Sequence, residues 1–497
     1  MGNRYRMTQV HRVLPPDPVR SLDEHLRRRG GRGIEVAREV EPEAIIDEIE
    51  ASGLRGRGGA GFPTHIKWRT VRANASAIEP TTVVVNGAEG EPGTFKDRTI
   101  LGRDPYHVIE GALIAAIAVG ADRVVFGLKR SFGDVVARVR AAVAEVEAAG
   151  WCEGIDLVVF EGPDEYLYGE ETALLETIDG RYPFPRIAPP YRRGVDEVVE
   201  TTADASSGSG QSAHVEMAGP DSEDAPPALV DNVETLANVP GIIARGGAWF
   251  RTEGTDASPG TIVCTVTGSV QRAGVAEFMM GTPLREVIDT ISGGPLPGRS
   301  IAAVLPGVSN GLIDAAGLDA PLSYEGLAAV GSGLGSAGFI VFDDRDDLVA
   351  AIAGASRFLA VESCGQCTPC KKGGLVLSGL LEKLSRSDAE ERDLAAIRER
   401  VDTVADGARC FLASQQEVVV GSLLSRFPGA VDDHLHRRAP GIEPSLVAEL
   451  VDIAGGRAVL DERHRAKQPD WSYDDVDSGQ APADRFGEHR SPHELPG

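Results

Sequence analysis

Four cysteines offer the most distinctive chemistry in the chain. In the run Glu362-Ser-Cys364-Gly-Gln-Cys367-Thr-Pro-Cys370, three thiols recur with two residues between them, a spacing that lets one tight loop wrap three corners of a cubane. The fourth corner must come from elsewhere, and Cys410, in Asp406-Gly-Ala-Arg-Cys410, follows a helical stretch that can return the chain to the same place. Cys364, Cys367, Cys370 and Cys410 therefore point to one 4Fe-4S cluster and to intracellular electron transfer. The rival is a structural zinc site, which usually pairs two short Cys-x-x-Cys knuckles or adds His, and no His lies near Cys410. Lys371 and Lys372 follow the loop directly. They read either as cations that lower the thiolate pKa and the cluster charge or as a solvated helix start. Cys152 and Cys264 lie in apolar stretches without a neighbouring ligand type and read as small core residues.

Three further stretches carry binding chemistry. The run from Gly53 to Thr64 holds a GxGxxG pattern at Gly56, Gly58 and Gly61, but it follows apolar positions at helical spacing (Ile45, Ile46, Ile49) rather than a strand. It reads as bare backbone that can approach a flavin or nucleotide closely, or as a flexible glycine turn, and not as a Rossmann turn. In Val83 to Gly93 a buried strand ends in Asn86, Glu89 and Glu91, where ligands sit at the carboxyl edge of open α/β sheets. Tyr166 to Ala173 opens a helix with Glu170 and Glu171 adjacent. These carboxylates suit ribose and ribityl hydroxyls, and they also stabilise a helix N-terminus.

The elements that must position these residues follow from periodicity. A helix over Pro42 to Ser52 leads into the glycine loop, and strands over Thr81–Val85, Arg123–Leu128 and Asp156–Phe160 alternate with helices over Val108–Val119 and Asp134–Ala148. That alternation predicts an α/β domain with a mainly parallel sheet, spanning 31–250 after a polar leader at 1–30. Residues 191–227 lose periodicity and read as a flexible insertion. A ββ/α module is expected over 260–343, with strands at Thr261–Thr267 and Ser300–Leu305 and a helix at Leu284–Ile291. A helical domain carrying the cysteines is expected over 346–428. The extra segment 429–497 is expected to add a helix and strand over Ser445–Leu460 and a mobile acidic tail from Asp470. With a formal charge of -25 over 497 residues, the chain lacks the clustered cations of a nucleic-acid surface. No run of eighteen apolar residues and no apolar leader is present, which predicts a cytoplasmic protein.

Taken together, the glycine loop with Lys67 and Trp68, the Asn86–Arg98 block, Tyr166–Leu174, Val230–Leu236, and the cysteine loop with Cys410 closely resemble the family of NADH-quinone oxidoreductase F-subunits. These are the NADH-binding FMN and iron-sulfur flavoproteins of respiratory complex I, with relatives in NAD-linked hydrogenases and formate dehydrogenases. The resemblance covers about residues 30–427. It implies a Rossmann-like FMN/NAD-binding domain, a β-grasp-like module for soluble ligands and a C-terminal helical iron-sulfur domain. FMN would contact Gly56, Arg57, Gly58, Gly59, Lys67, Asn86, Tyr166, Gly169, Glu170, Asn232 and Thr235, with Ala60, Gly61 and Glu89 in the same cofactor-binding set. Phe62, Glu91, Glu171 and Tyr191 would face NAD(H). The implied reaction passes a hydride from NADH to FMN and then single electrons to the cluster and on to a partner iron-sulfur protein of a multisubunit complex. That complex would be quinone-reducing and would lie on the cytoplasmic face of a membrane through other subunits. No side chain is needed as a catalytic acid or base. Four positions depart from the family pattern: Ala88 for Asp, Thr70 for a stacking aromatic, Ala188 for Lys, and Asp231 for Asn. They keep two alternatives open, a diaphorase subunit of an NAD(P)-linked formate dehydrogenase, hydrogenase or ferredoxin system, and a non-catalytic iron-sulfur scaffold.

Overall fold

A computed structural model describes residues 9–75, 80–195 and 226–487. The expected insertion, apart from its flanks, lies outside the described residues. The strands Asp156–Gly162, Ala121–Lys129, Thr81–Gly87 and Ala228–Asn232 stand in that order in a parallel sheet. Val83, Val84 and Val85 are wholly buried, because a parallel sheet covered on both faces needs apolar side chains on both. On one face Val83, Val85, Val124 and Phe126 share a core with the helices Pro105–Val119 and Val233–Arg245. On the other, Val84, Val125 and Val230 pack with Leu174, Leu175 and Ile178 of helix Glu171–Ile178. The fourth strand has little signature in the sequence, being five residues long and following the aperiodic stretch.

A second sheet runs Gln9–Val10, Gly274–Met279, Thr261–Gly268, Gly338–Asp343, Ile301–Pro306, Ile313–Asp314. Only the Gly338–Asp343 and Thr261–Gly268 pair is parallel. Leu284, Val287, Ile288 and Ile291 of helix Leu284–Ser292 fill its core. The leader is more than polar chain. Buried Glu277 accepts the backbone N–H groups of Arg12, Val13 and Leu14, and Val13, Leu14 and Val19 are buried.

Five helices, Leu348–Glu362, Gly374–Ser385, Glu391–Thr403, Leu412–Arg426 and Pro428–Leu435, make the cysteine-bearing part around a third core. Beyond them the expected helix is absent. Residues 440–449 run without regular structure into a hairpin, Leu450–Ala454 with Arg457–Leu460. Gly455 and Gly456, both with positive φ (58° and 75°), make the two-residue turn that such a hairpin favours. The expectation of a mobile tail from Asp470 is corrected as far as Gly487. Trp471 is 2% exposed, and Asp470 accepts from Ser472, Ser478 and Arg485. Polar composition here marks internal hydrogen bonding. Among the described residues no helix is long and apolar enough to cross a membrane.

The N-terminal helix Leu22–Arg27 is fastened by one imidazole. His25 Nδ1 lies 3.3 Å from Asp104 and Nε2 3.2 Å from Glu110, and Glu110 also accepts N–H from Gly31, Gly33 and Ile34. Burial opposes a charge on His25, yet its hydrogen bonds and attraction to the two carboxylates outweigh this and lift its pKa to about 9. A raised pKa contributes stability that is complete below the unfolded value of about 6.5 and lost as pH climbs through the folded one. We expect unfolding free energy to fall by up to about 3 kcal/mol between about pH 6.5 and 9.5. Urea titrations across that range check this, and His25→Gln should flatten the slope.

Candidate functional site

The segments that carry binding residues in the sequence meet at the carboxyl edge of the parallel sheet. The helix Pro42–Ser52 ends at Gly53, and the glycine loop folds back on itself, Gly56 N–H donating to Phe62 O at 2.8 Å. Gly61 has φ +63°, and a Cβ there would lie 2.3 Å from the Tyr324 ring, so the position demands glycine for space as well as conformation. Gly58 lies against Asn232, 3.2 Å from its Cβ to the position a side chain would start. Arg57 N–H donates to Thr235 Oγ1 at 2.8 Å. Its guanidinium donates to the carbonyl of Arg55 within the loop and to those of Pro259 and Thr261 outside it, so Arg57 ties the loop to the second sheet. Gly58 and Ala60 are exposed, Gly59 is half-buried, and Phe62 is 49% exposed.

Lys67 sits one turn into helix Thr64–Ala73 and donates to Glu171 and to Val230 O, with Asp231 3.9 Å away. Burial works against its charge, but Glu171 and Asp231 hold its pKa above the ordinary lysine value. Burial pushes the Asp231 carboxyl up to about 6 against the pull of Lys67 and of Trp68 Nε1, which donates to it at 2.7 Å. Asn232 caps helix Val233–Arg245 through Glu234 N–H, accepts from buried Lys96 and donates to Asp97. Asn86 Nδ2 donates to Gly169 O at 2.9 Å. Glu170 caps helix Glu171–Ile178, accepting from the backbone of Thr172 and Ala173. Glu89 is turned inward, its two oxygens accepting from Asp97 N–H and Arg98. Tyr191 packs half-buried against the parallel sheet's core.

Glu91 and Tyr166 form the junction between the parts. Tyr166 Oη donates to Glu91, whose other oxygen accepts Val308 N–H at 2.7 Å from the second sheet's side. Gln415, on helix Leu412–Arg426, donates to Tyr166 Oη at 2.9 Å. Tyr166 N–H donates to Glu362 at 3.2 Å, just before the cysteine loop. Burial raises the Glu91 carboxyl above its usual range despite these hydrogen bonds, and burial followed by the Glu91 charge raises the Tyr166 phenol.

The next residue, Leu167, lines a concavity together with Cys364, Cys367, Cys370 and Cys410. A single zinc ion would take all four sulfurs itself, whereas in a cubane each thiolate binds a different iron. Burial first, and then the neighbouring thiols, raise Cys364 to about 11 and Cys410 to about 12. Held as thiolates, four sulfurs at this depth would need a cationic centre to balance their charge. Cys370 lies in a single π turn, Pro369–Gly373, an irregularity common at functional sites. Lys371 is buried and donates to the carbonyls of Ala360, Val361 and Ser363, so it caps helix Leu348–Glu362, whereas Lys372 is exposed. Cys264 is wholly buried as expected, but Cys152 is only half-buried.

Residues 49–241 match the family model of the Nuo51 FMN-binding domain, and residues 350–434 match the NADH-ubiquinone oxidoreductase-F iron-sulfur binding region. The chain is 35% identical over 410 residues to the NADH-quinone oxidoreductase F-subunit 2 of Rhizobium meliloti, covering 80% of this chain and 90% of that one. It belongs to the family of NADH-quinone oxidoreductase F-subunits. Another family member, the F-subunit of Streptomyces coelicolor, is 34% identical over 441 residues, covering 87% of this chain and 92% of its own. Among solved structures, the NAD+-reducing [NiFe]-hydrogenase in its H2-reduced state matches with a TM-score of 0.70 and 32% identity, over 85% of this chain and 66% of that one. This chain thus spans just under two thirds of the hydrogenase chain it matches. The family's FMN-binding and iron-sulfur regions coincide with the two ends of the Tyr166 junction.

Sequence reasoning passes over Tyr324, Gln415 and Lys96. Tyr324 Oη donates to Gly56 O at 2.6 Å and its ring lies under Arg55. Lys96 lies within the Asn86–Arg98 block but has no signature that singles it out, whereas Tyr324 and Gln415 fall in no motif and only the tertiary fold brings them to the site. Tyr166→Phe removes one donor from buried Glu91. We expect a loss of about 1–3 kcal/mol in unfolding free energy, read by urea denaturation, with Gln415→Leu non-additive to it.

Proposed function

We propose that this chain is an NADH-oxidising flavoprotein that receives reducing equivalents at the carboxyl edge of the parallel sheet and delivers them through the four-cysteine site to a partner iron-sulfur subunit. The observation that carries the reading is the turn Tyr166–Gly169. Its Tyr166 reaches Glu91 and its Gly169 O accepts from Asn86 at the carboxyl edge of the parallel sheet, while its Leu167 lines the cysteine concavity. When bound, FMN supplies hydride acceptance from NADH and the 4Fe-4S cluster supplies one-electron transfer.

The chain's own groups fit these cofactors. Gly56 to Gly61 offer backbone N–H groups without side chains in the way, and helix Thr64–Ala73 has no side-chain cap and no acidic residue in its first turn, which favours an anion. Lys67 would hold a phosphate there, with Asn86, Gly169, Glu170, Asn232 and Thr235 shaping the isoalloxazine and ribityl cradle. Arg57 acts through its backbone, and Glu89 through its hold on Arg98 and the Asp97 N–H. Phe62, Glu91, Glu171 and Tyr191 would face the nicotinamide nucleotide. Cys364, Cys367, Cys370 and Cys410 would each hold one iron.

On this reading the parallel sheet is a Rossmann-like FMN/NAD domain (31–250), the second sheet a β-grasp-like module (260–343), and the helices a 4Fe-4S domain (346–428). The protein would work in the cytoplasm within a larger complex. The likeness to the NAD+-reducing hydrogenase chain favours a diaphorase subunit of an NAD(P)-linked hydrogenase as the second reading.

Anaerobic titration tests the donor. NADH should bleach the flavin absorption while NADPH does so far more slowly, and absence of bleaching with both defeats the assignment. Cys410→Ala should lower iron from about four per chain and abolish the cluster's low-temperature resonance while flavin remains bound.

A further inference from the structure

The matched iron-sulfur region ends at residue 434, yet the chain beyond it crosses every part of the molecule. Ile442 N–H donates to Ser385 O and Ser445 N–H to Ala350 O, pinning the segment to two helices. Glu449 meets wholly buried Lys129 at 2.6 Å, and Leu450 O accepts from Arg98 beside the parallel sheet. The hairpin tip reaches the second sheet, Gly456 O accepting from Ala273 N–H.

The segment then turns to the cysteines. Arg357 donates to the carbonyls of His464, Arg465 and Lys467. His464 and Lys467 both meet Glu362 Oε1, at 3.1 and 2.8 Å, with all three groups buried. Trp471 Nε1 donates to Val361 O at 3.1 Å. Ala483 N–H donates to Cys364 O at 2.8 Å. Ala481 covers Gly365 so closely that a Cβ on Gly365 would lie 2.2 Å from the Ala481 methyl. Phe486 stacks on Tyr182 at 4.6 Å between centroids, which anchors the far side.

We propose that residues 439–487 form a strap that closes one side of the cysteine loop, with Ala481, Ala483 and Trp471 as positioning residues that fix the cluster's solvent exposure and so its potential and its resistance to iron loss. The inference rests on the assignment of the cluster to these cysteines. Its physics is that of any iron-sulfur site. Nearby charge, hydrogen bonding and exposure set the potential, and groups behind the ligands set how firmly the metal is held. A strap that ties Val361, Glu362, Cys364 and Gly365 from one direction leaves the Cys410 side, with exposed Arg409 and Phe411, as the open one.

The test uses the full chain and three variants. Ala481 is the cap residue of helix Pro482–Phe486 and is half-exposed, so Ala481→Asp and Ala481→Asn are both acceptable to the fold. Redox titration followed by low-temperature EPR should place the cluster of Ala481→Asp at a more negative potential than that of Ala481→Asn, because a carboxylate disfavours electron uptake nearby. Trp471→Ala frees the strap, and we expect iron to pass to a ferrous chelator roughly tenfold faster than from the unaltered protein. Equal potentials in the Ala481 pair together with an unchanged release rate overturn the strap. If Trp471→Ala fails to fold, the Ala481 pair decides alone. An unaltered protein without a four-iron signal defeats the cluster assignment instead, so the two failures are distinguishable.

Discussion

A single buried carboxylate holds the working parts together. Glu91 leaves the carboxyl end of a parallel strand, takes the Tyr166 hydroxyl with one oxygen and an N–H from the second sheet's side with the other. Tyr166 in turn accepts from the helical part through Gln415. An unpaired carboxylate at this depth would cost several kcal/mol, so the Tyr166 hydroxyl and the Val308 N–H must both be in place before Glu91 is satisfied, and Gln415 helps to hold the first of them. The site's geometry is therefore specified by an interaction that no one part of the fold can complete.

Around that junction the chain uses charge to position rather than to react. Lys96 answers Asp97 and Glu234, Arg98 answers Glu89, and Lys129 answers Glu449, all buried except the partly exposed Glu449. Buried pairs of this kind contribute little net stability over apolar residues of the same shape, but breaking one is costly. They make alternative packings unfavourable. The backbone supplies the other half of the positioning, since Asn232, Glu170 and Asp104 each cap a helix that starts at the site or behind it.

The legible part of this architecture is the part governed by local rules. Cysteine spacing, glycine clustering and the alternation of Val-rich runs with helical stretches each have a local cause, and the three stretches with binding chemistry do meet at one edge of the parallel sheet. The strand Ala228–Asn232 escapes because five residues carry too little pattern. The roles of Arg57 and Glu89 escape because side-chain direction is set by tertiary partners, Pro259 and Thr261 for one and Arg98 for the other. The tail beyond Asp470 misleads for a related reason. Its polar residues bond to one another around Asp470 while Trp471 enters the core, so average composition conceals a packed segment.

The pinning of the glycine loop bears on modularity. Its two arginines and its carbonyl at Gly56 are held from outside the matched FMN-binding span, by Pro259, Thr261 and Tyr324. A fragment ending at Gly241 would keep every glycine of the loop and lose the surface that shapes it. Competence to bind a cofactor is then a property of the intact chain, and recombination between relatives would have to exchange the loop and its distant supports as one inherited unit.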